Sequence, residues 1–116
     1  MSRLLEIHQV VAFLVLLCGI IFSWNTMGRR VVNAVVALQV LLGIAVAAVL
    51  GMSHEVIPPL TWLHLLVAVA IMGCYGMAMR AGKQAGGSKR ALALSIAGVV
   101  LILANVYLGL HMAGML

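Results

Sequence analysis

Four histidines are the side chains of this sequence best suited to chemistry: His8, His54, His64 and His111. Imidazole changes charge near neutral pH and is the commonest metal ligand. The two acidic residues, Glu6 and Glu55, stand far apart and form no carboxylate pair for hydrolysis, and no nucleophile–base pair is present. Cys18 and Cys74 make neither a CxxC pair nor a zinc pattern. Gly82-Lys83 has the wrong spacing for a phosphate-binding loop and lacks its Ser or Thr. Met52 near His54, and Met112 and Met115 beside His111, bring thioethers to imidazoles, a donor set that suits Cu(I). Methionine is also a common filler of apolar helices, and there is no tight MxxM cluster.

The elements that must position these histidines are set by hydropathy. Of 116 residues, 66% are hydrophobic and 8% charged, against about 25% charged in a soluble domain. That much apolar surface calls for lipid as the solvent. Apolar segments at 4–23, 31–51, 59–79 and 91–113 each approach the ~20 residues a helix needs to cross the hydrocarbon core. Helices satisfy their own backbone hydrogen bonds, as lipid demands. The connections are short, with Pro58-Pro59 opening the third helix and Gly82, Gly86 and Gly87 lending flexibility to the last connection. Short connections make neighbours antiparallel. The expectation is one all-α integral membrane domain over 1–116, an antiparallel four-helix transmembrane bundle.

Charge orients the bundle. Arg29, Arg30, Arg80, Lys83, Lys89 and Arg90 fall in the first and third connections, 24–30 and 80–90, while Arg3 and both glutamates fall at the opposite end. Basic loops stay in the cytoplasm. Both termini are then expected outside, in the periplasm for a protein of a bacterial inner membrane. Six of the seven basic residues lie between apolar runs, so the net charge of +5 is read as reporting topology and not nucleic-acid binding. The first apolar run has no small-residue cleavage site and is read as a retained helix. A faint repeat is visible: His8 precedes Cys18 and His64 precedes Cys74 by ten residues each, and each hairpin closes near a histidine, His54 or His111. It suggests two similar hairpins.

All four histidines belong to the outer end. His8 and His64 lie roughly 6–8 Å below their helix starts at 1.5 Å per residue. Helices 1 and 3 run the same way and are diagonal in a bundle. Two imidazoles level with each other across a bundle are what axial ligation of a haem iron needs. His8 continues its helix face through Ala12, Val15 and Gly19, and His64 through Ala68, Ile71 and Tyr75. Small residues such as Ala12 and Ala68 leave room for a flat macrocycle, and they equally allow close helix packing in lipid. A histidine at an interface can also be purely structural. His111 and His54 are secondary candidates, as a second ligand pair, propionate partners or the lining of a substrate entrance; His111 shares a face with Tyr107 and Ala104 and is expected inward, and His54 falls in a loop. Gln39 lies some 18 Å from the outer end of its helix, which places it out of reach of the His8–His64 level. Helix-to-helix hydrogen bonding is the role expected of Gln39 and Asn105.

His8, the run Leu38-Gln39-Val40-Leu41-Leu42-Gly43-Ile44, and Trp62-Leu63-His64-Leu65-Leu66-Val67-Ala68 after the prolines together resemble one half of the haem A synthase family. The resemblance covers about 60% of the chain. It implies that His8 and His64 are haem ligands. The family has eight helices and two haem sites where this chain has four helices, its half-unit places the extra helix before the first histidine helix, and its glutamate three residues before the ligand is Leu5 here. The expected function is one-electron transfer through one b-type haem, with a second haem left open. The protein would be a small cytochrome or a subunit of a respiratory or haem-modifying complex. The alternatives are a compact haem A synthase-like monooxygenase and a copper-handling or structural membrane subunit. Expected partners are the lipid bilayer, further copies of the chain or a larger membrane complex, and a quinone or a redox protein.

Overall fold

A computed structural model describes residues 2–52 and 59–112. Four helices account for nearly all of them: α1 (Ser2–Phe22), α2 (Thr26–Met52), α3 (Leu60–Gly82) and α4 (Ser88–Met112). Each is long and apolar enough to cross a bilayer, with mean hydropathy over its most apolar window between 1.8 and 2.5. The described residues extend over 52 × 22 × 21 Å. Helix α1 packs on α2 and α4, and α3 packs on the same two, so α1 and α3 are diagonal.

The helices outrun the apolar segments at the end that carries the two short turns. Helix α2 begins at Thr26, not at residue 31, because Asn25 caps it. The Gly28 N–H donates to Asn25 Oδ1 (2.7 Å) and the Arg29 N–H to Asn25 O (2.9 Å), the usual way a side chain satisfies a helix start. A Cβ at Gly28 would lie 1.8 Å from Phe22 O, so only glycine permits this turn. Helix α3 runs on to Gly82 and α4 starts at Ser88. Arg29, Arg30, Arg80, Lys89 and Arg90 therefore ride on helix ends, and only Lys83 of the basic cluster sits in a turn. Hydropathy marks the part of a helix that suits hydrocarbon, whereas caps mark where the helix ends. Glycine in the second turn serves tight geometry: Gly86 has φ +73° and a Cβ at Gly87 would meet Ala81 O at 1.9 Å. Pro59 precedes α3, as expected, and Pro58 lies outside the described residues.

The distribution of side chains reverses that of a soluble bundle. Large apolar residues such as Leu17, Leu41, Leu66 and Val100 face outward. The interior holds Val11, Val15, Val32, Val36, Ile71, Tyr75 and Ile102, together with the buried polar residues Ser23, Arg29, Ser95 and Asn105. Such an arrangement suits lipid, where helix contacts come from small residues and hydrogen bonds and not from hiding apolar surface. Tyr75 is fully buried. Its ring lies over Gly98, where a Cβ would come within 2.8 Å of Tyr75 Cε2. Ser23 Oγ donates to Gly19 O, so the Tyr75 hydroxyl donates to Ser23 Oγ (2.7 Å).

Candidate functional site

His8 and His64 meet. Their ring centres are 6.1 Å apart and the ring planes stand at 88°. The contact spans the diagonal between α1 and α3. His8 sits six residues into α1 and His64 four residues into α3, roughly 9 and 6 Å along their axes at 1.5 Å per residue. Below them the expected faces do point inward. Val15 and Gly19 are buried and Ala12 half-buried, while Ala68, Ile71 and Tyr75 are all buried.

The other two helices supply matched neighbours that the sequence reading did not assign. A Cβ at Gly43 on α2 would lie 3.3 Å from His8 Cε1 and 3.8 Å from its Nε2. A Cβ at Gly109 on α4 would lie 3.4 Å from His64 Cε1 and 3.8 Å from its Nε2. Each imidazole edge therefore rests where a helix has no side chain. One turn before each glycine stands an amide. Gln39 lies beside His8 and Asn105 beside His64. Gln39 Nε2 donates to the backbone His8 O at 2.9 Å. Four buried polar atoms here have no hydrogen-bond partner within the described residues: His8 Nδ1, Gln39 Oε1, His64 Nδ1 and Asn105 Oδ1. The two hairpins thus repeat one motif, histidine against amide and glycine. Its sequence trace is Gln39-Val40-Leu41-Leu42-Gly43 and, 66 positions later, Asn105-Val106-Tyr107-Leu108-Gly109.

The helix-to-helix role expected of Gln39 holds, but its expected depth does not. Measured from the short turn, His8 lies fourteen residues before Phe22 and Gln39 thirteen after Thr26, so they are level. Helix α2 has 27 residues and α1 has 21, and depth counted from the far end of α2 misplaces Gln39. His111 also departs from expectation. It is exposed, not inward, with its ring stacked on exposed Tyr107 (centres 6.3 Å apart, planes at 7°). Asn105 and Gly109 take the inward face of α4 and leave Tyr107 and His111 on the other side. Neither reaches the His8–His64 pair. His54 lies outside the described residues.

Of the sulfur ligands, Met52 is 78% exposed and the Met112 sulfur accepts a hydrogen bond from Thr61 Oγ1 (3.8 Å). Cys18 and Cys74 are half-buried free thiols. Among the described residues no three of His, Cys, Asp and Glu gather as a metal-binding group. The pair at the bundle centre has two imidazoles to offer, and a metal held there takes its remaining ligands from elsewhere.

The 6.1 Å between the ring centres matches the spacing of two imidazoles that share one metal. A metal bonded to one nitrogen of each of two facing imidazoles, at about 2.0–2.1 Å, sets the ring centres roughly 6 Å apart. A macrocycle brings its own equatorial donors and needs only two axial ligands from the protein. The unpaired Nδ1 atoms and amide oxygens are of the donor and acceptor types that pair when an outer partner orients a metal-binding histidine, although they are not bonded to each other here. No protein-family model, no curated protein and no solved structure matches this chain, so its function is read from the site itself.

Proposed function

We propose that this protein is a membrane-embedded, b-type cytochrome subunit that holds one haem between His8 and His64 and passes single electrons. The observation that carries the reading is the two-fold motif: paired imidazoles with centres 6.1 Å apart, each backed by a glycine and an amide from its own hairpin. When bound, haem supplies a one-electron couple, and two axial imidazoles favour electron transfer over oxygen binding. The chain's own residues do the positioning. With haem bound, the unpaired amide oxygens of Gln39 and Asn105 would each accept from an Nδ1–H and leave Nε2 as the ligand atom. Gly43 and Gly109 let the ring edges pack close against the backbones of α2 and α4. Val11, Val15 and Ile71 form the apolar core on the same helices below the half-buried pair.

On this reading the helices alternate in direction across a bacterial inner membrane. The histidine end faces the periplasm and the arginine-rich turns face the cytoplasm, as basic-residue placement favours. The resemblance to half of a haem A synthase extends to the ligand pair. The exposed apolar flanks of so small a bundle suit assembly with further copies or with a larger respiratory complex, and the electron partner is a quinone or a redox protein.

The experiment is a reduced-minus-oxidised absorbance spectrum of protein purified in detergent, with His8→Ala and His64→Ala alongside. Haem bands are expected in the parent and in neither variant. A folded variant of either histidine that keeps the parent spectrum removes the assigned pair.

A further inference from the structure

The opposite end of the bundle carries a second site, independent of the histidines. A cleft of about 390 Å³ opens there, lined by Asn25, Thr26, Arg29, Ser88 and Ala91 among others. Arg29 is only 6% exposed. Its Nε donates to Ser23 O (3.1 Å) and to Ser95 Oγ (2.8 Å). Within the described residues, Nη1 and Nη2 make no hydrogen bond and no carboxylate pairs with the guanidinium, and neither nitrogen is sealed from the cleft that Arg29 lines. Glu6 is near the start of α1, at the far end of the bundle, and Glu55 lies outside the described residues. The guanidinium therefore presents a positive charge with no counter-charge at the cleft, where an anion would pair with it.

The surroundings say which kind. Nη1 lies 3.6 Å from the point a Gly82 Cβ would occupy, and Thr26 Oγ1 lies 3.8 Å from the same point. Helices α2 and α4 both start at the cleft. In α4 the first hydrogen bond is donated by Ala91 N–H to Gly87 O (2.9 Å), which leaves the amides of Ser88, Lys89 and Arg90 without a helical acceptor. Helix starts carry partial positive charge and bind oxyanions. Exposed Arg30, Lys89 and Arg90 add to the field. A forked guanidinium, two hydroxyl residues and a helix start lining one cleft supply the donor types that a tetrahedral oxyanion with several acceptor oxygens takes.

We infer that Arg29, with Thr26, Ser88 and the start of α4, binds a phosphate-class oxyanion in this cleft. A lipid headgroup phosphate and free phosphate share that chemistry, and the test separates them. Delipidated protein in a phosphate-free sugar detergent is melted with increasing inorganic phosphate, with short-chain phosphatidylglycerol, and with potassium chloride at matched ionic strength. The melting temperature is expected to rise with a phosphate probe beyond the chloride control. A rise with both probes means that free phosphate suffices, and a rise with the lipid alone means a headgroup site. In R29Q the half-maximal concentration is expected to increase at least tenfold. In G82D a carboxylate built beside Nη1 occupies the guanidinium, and the response is expected to vanish. Should R29Q fail to fold, G82D carries the test. No rise above chloride with either probe, or a parental response in G82D, overturns the assignment.

Discussion

Adding one methyl group at Gly43 tests the histidine motif most directly. An alanine Cβ there stands 3.3 Å from His8 Cε1, inside the optimal carbon–carbon separation of about 3.5–4.0 Å. The ring must move by a few tenths of an ångström. Overpacking costs about 1–3 kcal/mol, and this is a mild case at the lower end. Alanine also stabilises a helix by about 0.8–1.0 kcal/mol relative to glycine. The two nearly cancel, so the fold is expected to melt within a few degrees of the parent. If the proposed haem site is right, haem retention is expected to fall because the displaced ring would be a ligand: a loss of about 1.4 kcal/mol is tenfold in affinity. Gly109→Ala, with a Cβ 3.4 Å from His64 Cε1, should match it. Gly73→Ala and Gly76→Ala, where nothing lies within 4 Å of the added Cβ, should keep full haem. Gly43→Leu should abolish binding. The assay is haem per mole of protein after reconstitution, with a melting curve on the same sample. A folded Gly43→Leu protein with parental haem content and spectrum refutes the reasoning.

Gln39→Leu and Asn105→Leu should each lower haem affinity about 10–100-fold, the usual effect of losing an outer partner of a ligand histidine, and should shift the midpoint potential in a redox titration; an unchanged potential in both denies the amides a positioning role. Gly98→Ala, with its Cβ 2.8 Å from the buried Tyr75 ring, should destabilise the fold by about 1–3 kcal/mol, seen as a lower melting temperature. Tyr75→Phe should cost roughly 0.6 kcal/mol, the average for a hydrogen bond between membrane helices, so a larger loss from Tyr75→Phe than from Gly98→Ala contradicts the packing described. In a Cys18→Ser, Cys74→Ser background, a cysteine at Lys83 should react with an impermeant thiol reagent only from the cytoplasmic side and one at Arg3 only from outside; the reverse pattern inverts the proposed topology.

Hydropathy and charge were enough to count four helices, to place the basic residues at one end and to level His8 with His64, because each depends on position along a single helix. The inward faces of α1 and α3 followed from three- and four-residue steps for the same reason. The chain alone did not decide where the helices end, since the Asn25 cap starts α2 at Thr26, five residues ahead of the apolar run that begins at residue 31. Nor did it decide how α2 and α4 are rotated and shifted against their partners. That rotation turned His111 outward and brought Gly109 against His64, and that shift set Gln39 level with His8. Such relations depend on contacts between helices, which spacing within one helix does not encode. The buried Arg29 belongs to the same class: its charge was legible as a topology marker, but its burial beside Ser95, 66 positions away, exists only once the two hairpins close on each other.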